Sequence, residues 1–284
     1  MRSSLPEALH PATSGGPHRC PRWGPRRVYS DLVSVAVIIV AAGSGSRLGA
    51  DLPKALVEVG GRTLLEHSLH TALEVSGLVQ VVVVAPATHL EAVIELIDGI
   101  RTSSAVHVVA GGADRTASVA AGLAALDDGL GDELDDADAQ GDLAEPQVVL
   151  VHDAARCFTP LDVYERVVDA VRDGWVAVVP GLPVVDTVKV VDERGVVRST
   201  PPREQLRAVQ TPQGFMRDEL EAAHASGISA TDDAALLEAL GHHVLVVEGD
   251  PLSFKVTTPA DLDRAHRHTA SLSTTPDLEP ETVV

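Results

Sequence analysis

The chain has 284 residues, with 22 Lys and Arg against 41 Asp and Glu and a formal charge of −19. That balance argues against a general nucleic-acid or anionic-membrane surface, while a local cationic pocket stays open to it. Aromatic residues are 2%, too few for a platform that stacks single-stranded nucleic acid, whereas apolar residues reach 45%, ample for a core. No apolar run exceeds strand length, so no membrane-spanning helix is expected. Cys20 and Cys157 are the two cysteines. They supply neither a disulfide framework nor a cysteine metal site, and they fit a reducing, cytoplasmic setting.

Residues 1–34 are rich in Pro, Gly, Ser and Arg without periodicity and read as a disordered extension. They lack the apolar stretch of a secretory signal. The β-branched run 35–40 then reads as a buried strand. It opens into Ala41-Ala42-Gly43-Ser44-Gly45-Ser46, where backbone N–H groups can approach a ligand with little or no side chain in the way. Arg47 and Lys54 follow as two positive charges. A strand, a glycine loop and two cations suggest a polyphosphate site, hence a nucleotide-handling enzyme. The dinucleotide fingerprint is absent, because its third glycine would fall at Leu48. The P-loop is absent too, because Gly49 is followed by Ala50.

Helix and strand signals alternate beyond this loop. Helices are expected at 63–75, 90–97, 115–126 and 161–172, and strands at 79–85, 106–110, 147–151 and 175–180. Repeated strand–helix units predict an α/β, Rossmann-like, mostly parallel sheet with helices on both faces. Residues 127–146 carry many Asp and Glu and no Lys or Arg, and read as a solvated, mobile insertion. Residues 183–210 break the rhythm. Partial alternation, the turn Asp192-Glu193-Arg194-Gly195 and a resumed extended segment predict a projecting β-hairpin arm. Such an arm has too little core to stand alone, so it is expected to pack on a partner subunit. Helices at 217–225 and 232–240, a strand at 243–247 and a last helix from Pro259 complete a single domain over 35–268. Residues 269–284 read as a disordered tail.

Four further motifs carry chemistry. Gly111-Gly112-Ala113-Asp114-Arg115-Thr116-Ala117-Ser118 ends one strand and opens a helix, a place suited to anions and polar ligands. Val151-His152-Asp153-Ala154-Ala155-Arg156 ends another strand, where open α/β sheets gather ligands. Asp186-Thr187-Val188-Lys189 lies on the arm, followed by Arg203 and Thr211-Pro212-Gln213. Thr231-Asp232-Asp233 and Lys255-Val256-Thr257 come last. The chain has three lysines, Lys54, Lys189 and Lys255, each inside a motif. A compact ammonium is not interchangeable with a guanidinium at a phosphate.

In this order the motifs closely resemble the 2-C-methyl-D-erythritol 4-phosphate cytidylyltransferases of the non-mevalonate isoprenoid pathway, over roughly residues 35 to 268. Cys157 stands where the family often has proline. The resemblance implies attack of the methylerythritol 4-phosphate oxygen on the α-phosphorus of CTP, with pyrophosphate leaving. It implies that Arg47 and Lys54 stabilise the charge developing at the α-phosphate and pyrophosphate, and that Lys255 and Arg203 hold the attacking phosphate. Arg207, four residues from Arg203, is the other candidate for that last role. Backbone groups of Ala41, Ala42, Gly43, Ser44, Gly45 and Gly112, with Ser118, Asp153 and Ala154, would bind the nucleotide. Asp153, Arg156, Thr187 and Thr231 would contact methylerythritol phosphate. The family's interlocked homodimer would bring Thr187 and Arg203 from the partner's arm. Mg²⁺ would be held mainly by CTP phosphates, with no dedicated protein ligands. Alternatives are a cytidylyltransferase for another polyol phosphate such as ribitol 5-phosphate, a sugar-nucleotide pyrophosphorylase, and a non-catalytic nucleotide-binding regulator.

Overall fold

The computed structural model describes residues 33–43, 45, 48, 52–102, 104–128, 145–228 and 230–273. Ser44, Arg47, most of the N-terminal extension, most of the acidic insertion and the end of the tail lie outside the described residues. In chain order the elements are β1 (Val35–Val40), the short pair β2 (Glu58–Val59) and β3 (Arg62–Thr63), α1 (Leu64–Ala72), β4 (Leu78–Ala85), α2 (Leu90–Asp98), β5 (Ala105–Ala110) and α3 (Arg115–Asp128). They continue with β6 (Val148–Asp153), α4 (Leu161–Arg172), β7 (Ala177–Pro183), β8 (Val190–Val191), β9 (Val197–Ser199) and β10 (Arg207–Val209). The last are β11 (Gln213–Met216), α5 (Arg217–Ala225), α6 (Asp233–Ala239), β12 (Val244–Glu248) and α7 (Pro259–Ser273).

The main sheet runs β10-β7-β11-β6-β1-β4-β5, with β12 also on β7. β1 lies parallel between β4 and β6. It is apolar throughout because both its faces are covered, as parallel strands require. Its alternation splits the core in two. Val35, Val37 and Ile39 pack with Leu65 and Leu69 of α1, Val93 of α2 and Tyr164 and Val167 of α4. Ala36 and Ile38 pack with Val119 and Leu123 of α3, Leu220 of α5 and Leu236 of α6. Full burial of each such Leu or Ile contributes roughly 1.5–3 kcal/mol. α1 starts on a capping box, where Thr63 Oγ1 accepts the Glu66 N–H at 3.1 Å and Glu66 Oε2 accepts the Thr63 N–H at 2.6 Å.

The parallel rule fails on one side. β11 is antiparallel to both β6 and β7, and β10 is antiparallel to β7. β11 was not anticipated from sequence, because Gln213-Gly214-Phe215-Met216 is short and carries a glycine. The structure explains that glycine. A Cβ at Gly214 would fall 2.4 Å from Val167 Cγ1, so its absence lets α4 close onto the sheet.

The segment expected as an arm, 183–210, contains a two-stranded antiparallel hairpin of β8 and β9 outside the main sheet, but it ends in β10, which pairs with β7 inside that sheet, so the arm stops short of 210. Its turn is held by Asp192 Oδ1, which accepts the Arg194 and Val196 N–H groups at 3.0 and 2.9 Å. Gly195 supplies the positive φ of 80°. Val185, Val190, Val191, Val196 and Val197 are exposed along the arm.

Three further boundaries need correction. α7 continues to Ser273, so the tail does not begin at 269. Asp127 belongs to α3 and is ion-paired to Arg217, so the insertion starts later than residue 127. Val33 and Ser34 are buried, and the Ser34 carbonyl accepts from Gln147 and Val148, so the ordered body starts before residue 35.

Candidate active site

A cavity of about 430 Å³ opens at the carboxyl ends of β1 and β6. This is where an open α/β sheet presents its loops. On one wall is the loop after β1. Ala41 donates to the Val84 carbonyl at 2.8 Å, which fastens the start of the loop to the sheet. Gly45 adopts φ +67°, and a Cβ there would lie 2.6 Å from Lys54 Cβ. The loop and Lys54 therefore pack closely because residue 45 is glycine. Lys54 follows Pro53 and opens a single 3₁₀ turn, Lys54–Leu56.

The Gly111–Gly112 corner adjoins this loop, and Gly112 lines the same cavity. A Cβ at Gly111 would meet Ala42 Cβ at 2.4 Å, so the two loops touch. Asp114 caps α3 by accepting the Ala117 N–H at 2.8 Å. The Ser118 hydroxyl donates to the Asp114 carbonyl at 2.7 Å and accepts the Gly112 N–H at 3.2 Å. Ser118 thus braces the loop as well as lining the cavity.

Asp153, at the end of β6, forms the floor. Its Oδ2 is 2.7 Å from Lys255 Nζ, its Oδ1 is 3.6 Å from Arg115 Nε, and Arg156 Nε lies 3.9 Å away. Burial pushes the Asp153 carboxyl up, but Lys255, Arg115 and Arg156 more than offset this and hold it at about 2. It is a carboxylate at neutral pH. Its backbone N–H donates to Thr211 Oγ1 at 3.0 Å, and the same hydroxyl lies 3.1 Å from His152 Nδ1. Burial lowers His152 to about 3, so the imidazole is neutral. Burial also pushes the Cys157 thiol up to about 12. His152 therefore offers no imidazolium and Cys157 no thiolate at neutral pH.

The cavity brings together Ala41, Ala42, Gly43, Gly45, Lys54, Gly112, Ser118, Asp153, Ala154 and Lys255 from the expected set. Arg156 stands behind it. Its guanidinium donates to the Ser253 carbonyl at 2.7 Å and the Val209 carbonyl at 3.3 Å, strapping the end of β6 to its neighbours. Thr187, Arg203 and Thr231 do not line the cavity of their own chain. Arg203 donates to the Val185 carbonyl at 2.8 Å on the arm. Thr231 precedes Asp232, whose Oδ1 caps α6 at Ala235. Asp114, Arg115 and Thr257 line the cavity although the sequence reading gives them no site role of their own. The first two sit inside the Gly111–Ser118 motif and the third closes Lys255-Val256-Thr257, so the signal was adjacency to motifs already read.

Lys54 and Lys255 lining one cavity with two glycine-rich loops, with no activated nucleophile among the described residues, suit the handling of phosphates rather than acyl transfer. Combined with the mixed α/β sheet, this defines a nucleotidyltransferase. The family model for 2-C-methyl-D-erythritol 4-phosphate cytidylyltransferase matches residues 35–270, and the chain belongs to that family. It is 48% identical over 229 residues to the 2-C-methyl-D-erythritol 4-phosphate cytidylyltransferase of Nocardia farcinica, covering 81% of this chain and 91% of that one. It is 49% identical over 259 residues to the bifunctional enzyme IspD/IspF of Clavibacter michiganensis, covering 90% of this chain but 56% of that protein. The crystal structure of 2-C-methyl-D-erythritol 4-phosphate cytidylyltransferase from Thermus thermophilus superimposes with a TM-score of 0.61 at 36% identity, covering 84% of this chain and 98% of that chain.

Proposed function

We propose that this chain transfers the cytidylyl group of CTP to 2-C-methyl-D-erythritol 4-phosphate, giving 4-diphosphocytidyl-2-C-methyl-D-erythritol and pyrophosphate. The observation that carries this reading is that Lys54 and Lys255 line one cavity together with Gly43, Gly45 and Gly112, within the family match. A phosphate oxygen of the acceptor forms the new bond to the α-phosphorus as the bond to the pyrophosphate oxygen breaks in line. Such a transfer depends on positioning and charge neutralisation more than on covalent catalysis.

Backbone groups of Ala41–Gly45 and Gly112 receive the nucleotide, and Lys54 with Arg47 meets its phosphates. Lys255 takes the acceptor phosphate and must then leave or share Asp153. Arg115 and Arg156 remain on that carboxylate when it does. Mg²⁺ fits this site as an ion carried by the nucleotide. Of the two carboxylates lining the cavity, Asp114 caps α3 and Asp153 is already answered by cations. Phosphate oxygens would therefore supply most of its ligands, and bound there it would neutralise phosphate charge.

The exposed valines of the arm support a homodimer in which Thr187 and Arg203 serve the partner's cavity. A cytoplasmic setting is part of the same proposal, on the buried free thiol of Cys157. Among the described residues no helix is long and apolar enough to cross a membrane. The test is pyrophosphate release with Mg²⁺, each of the four nucleoside triphosphates, and methylerythritol phosphate or ribitol 5-phosphate. The fastest turnover is expected with CTP and methylerythritol phosphate. A faster reaction with UTP or with ribitol 5-phosphate would overturn the proposal.

A further inference from the structure

A row of ionisable side chains runs from behind the cavity to Lys255. Asp233 is the first residue of α6 and only 1% exposed. Its Oδ2 lies 2.7 Å from Arg115 Nη1, and its Oδ1 lies 3.0 Å from His224 Nε2. Arg115 then presents Nε to Asp153 at 3.6 Å, and the other oxygen of Asp153 meets Lys255 at 2.7 Å. His224 of α5, Asp233 of α6, Arg115 of α3, Asp153 of β6 and Lys255 thus form one row, which ends at the ammonium assigned to the acceptor phosphate.

A buried carboxylate is unfavourable unless it is paired. Helix capping does not account for this one, because the cap of α6 is Asp232. Asp233 does not line the cavity, but Arg115 does. A guanidinium has five donors in a fixed plane, so a carboxylate on one edge orients the others. Without that anchor, a phosphate in the cavity would compete with Asp153 for Arg115. Asp153 would lose Arg115 at the moment when Lys255 also turns to the acceptor.

We propose that Asp233 is a positioning residue: it holds the Arg115 guanidinium against Asp153, so that Lys255 can leave that carboxylate for the incoming phosphate. The inference rests on the transfer reading above for the choice of substrates in its kinetic test.

That test measures kcat and KM for CTP and methylerythritol phosphate in the unsubstituted enzyme, Asp233→Asn, Arg115→Lys and the double variant. Asp233→Asn should lower kcat about tenfold while the KM for CTP changes less than about twofold. The double variant should be no slower than Arg115→Lys within about twofold, because Asp233 acts only through Arg115. Costs that multiply would show that Asp233 acts independently, and would overturn the proposal. Absence of turnover in the unsubstituted enzyme would count against the transfer reading alone. A second measurement then decides the inference. In protein with ¹⁵N-labelled arginine, the Arg115 Nη1–H signal, assigned by its loss in Arg115→Lys, should be resolved and slow to exchange, because Nη1 is the nitrogen 2.7 Å from Asp233. In Asp233→Asn it should broaden. A signal that exchanges like those of surface arginines in the unsubstituted protein overturns the proposal, even if Asp233→Asn yields no folded protein.

Discussion

Replacing Lys255 with Ala separates what this lysine does for the fold from what it does for the reaction. In the folded chain Asp153 sits at about 2 against an ordinary 3.8. At about 1.4 kcal/mol per pH unit, that gap is roughly 2 kcal/mol of net stabilisation of the carboxylate. Lys255 is the largest of the three attractions, but its side chain is 40% exposed and therefore screened. Arg115 and Arg156 remain after the substitution, so Asp153 is not orphaned. The stability loss at pH 7 should be on the order of 1 kcal/mol, well short of the roughly 3–5 expected for an unpaired buried charge. The sign follows from the depressed value. The contribution is fully present above about pH 4 and is lost as pH falls from there through about 2. In Lys255→Ala the folded value rises, so this window narrows from its acid end. Turnover should fall much further, by about 10²-fold, the scale for losing one group that stabilises charge in a preorganised site. Urea unfolding at pH 7 and pH 3, set beside pyrophosphate release, measures both effects. A loss of turnover no larger than the loss of folded protein, or turnover near the unsubstituted value, would refute the role assigned to Lys255.

Other outcomes follow from the same geometry. Lys54→Ala should also cost about 10²-fold in turnover, and Lys54→Arg should restore only part of it, because a planar fork replaces a point charge; full recovery would contradict this. Gly45→Ala forces a side chain into φ +67° and against Lys54 Cβ at 2.6 Å, so the KM for CTP should rise several-fold while far-ultraviolet circular dichroism stays unchanged. An unchanged KM would mean that the loop does not contact nucleotide. Mixing a Lys54→Ala protomer with an Arg203→Ala protomer should restore up to about half the normal activity per heterodimer, because crossed arms place both defects in one site and neither in the other. Heterodimers that form without recovery would show that Arg203 serves its own subunit.

The parts of the fold that were legible in the sequence are those whose local pattern agrees with their final environment. The run 35–40 is apolar on both faces and became an interior strand of the main sheet. The helix expected at 161–172 has an apolar stripe that ends in α4 with Tyr164, Val167 and Val171 buried. β11 was missed because its pairing comes from neighbours on both sides rather than from its own four residues. In the candidate site, the glycine loop, Lys54 and Lys255 stood out in the sequence as motifs, and the structure brings them to one cavity. The Arg115–Asp233–His224 contacts were not. Residue 115 is far in the chain from 224 and 233, and only the meeting of α3 with α5 and α6 brings the three within reach. Thr187 and Arg203 were legible as ligand-type residues on an arm, yet they lie outside the cavity of their own chain. Their proposed place depends on a second copy.

The most direct measurement follows the oxygen atoms. Methylerythritol phosphate bearing ¹⁸O in its phosphate would be incubated with CTP, Mg²⁺ and the enzyme, and both products analysed by ³¹P NMR and mass spectrometry. In-line attack by the acceptor phosphate on the α-phosphorus places all of the label in 4-diphosphocytidyl-2-C-methyl-D-erythritol, including the bridging oxygen, and leaves pyrophosphate unlabelled. Labelled pyrophosphate, or cytidine monophosphate formed with unlabelled water oxygen in place of the diphosphate, would contradict the assignment.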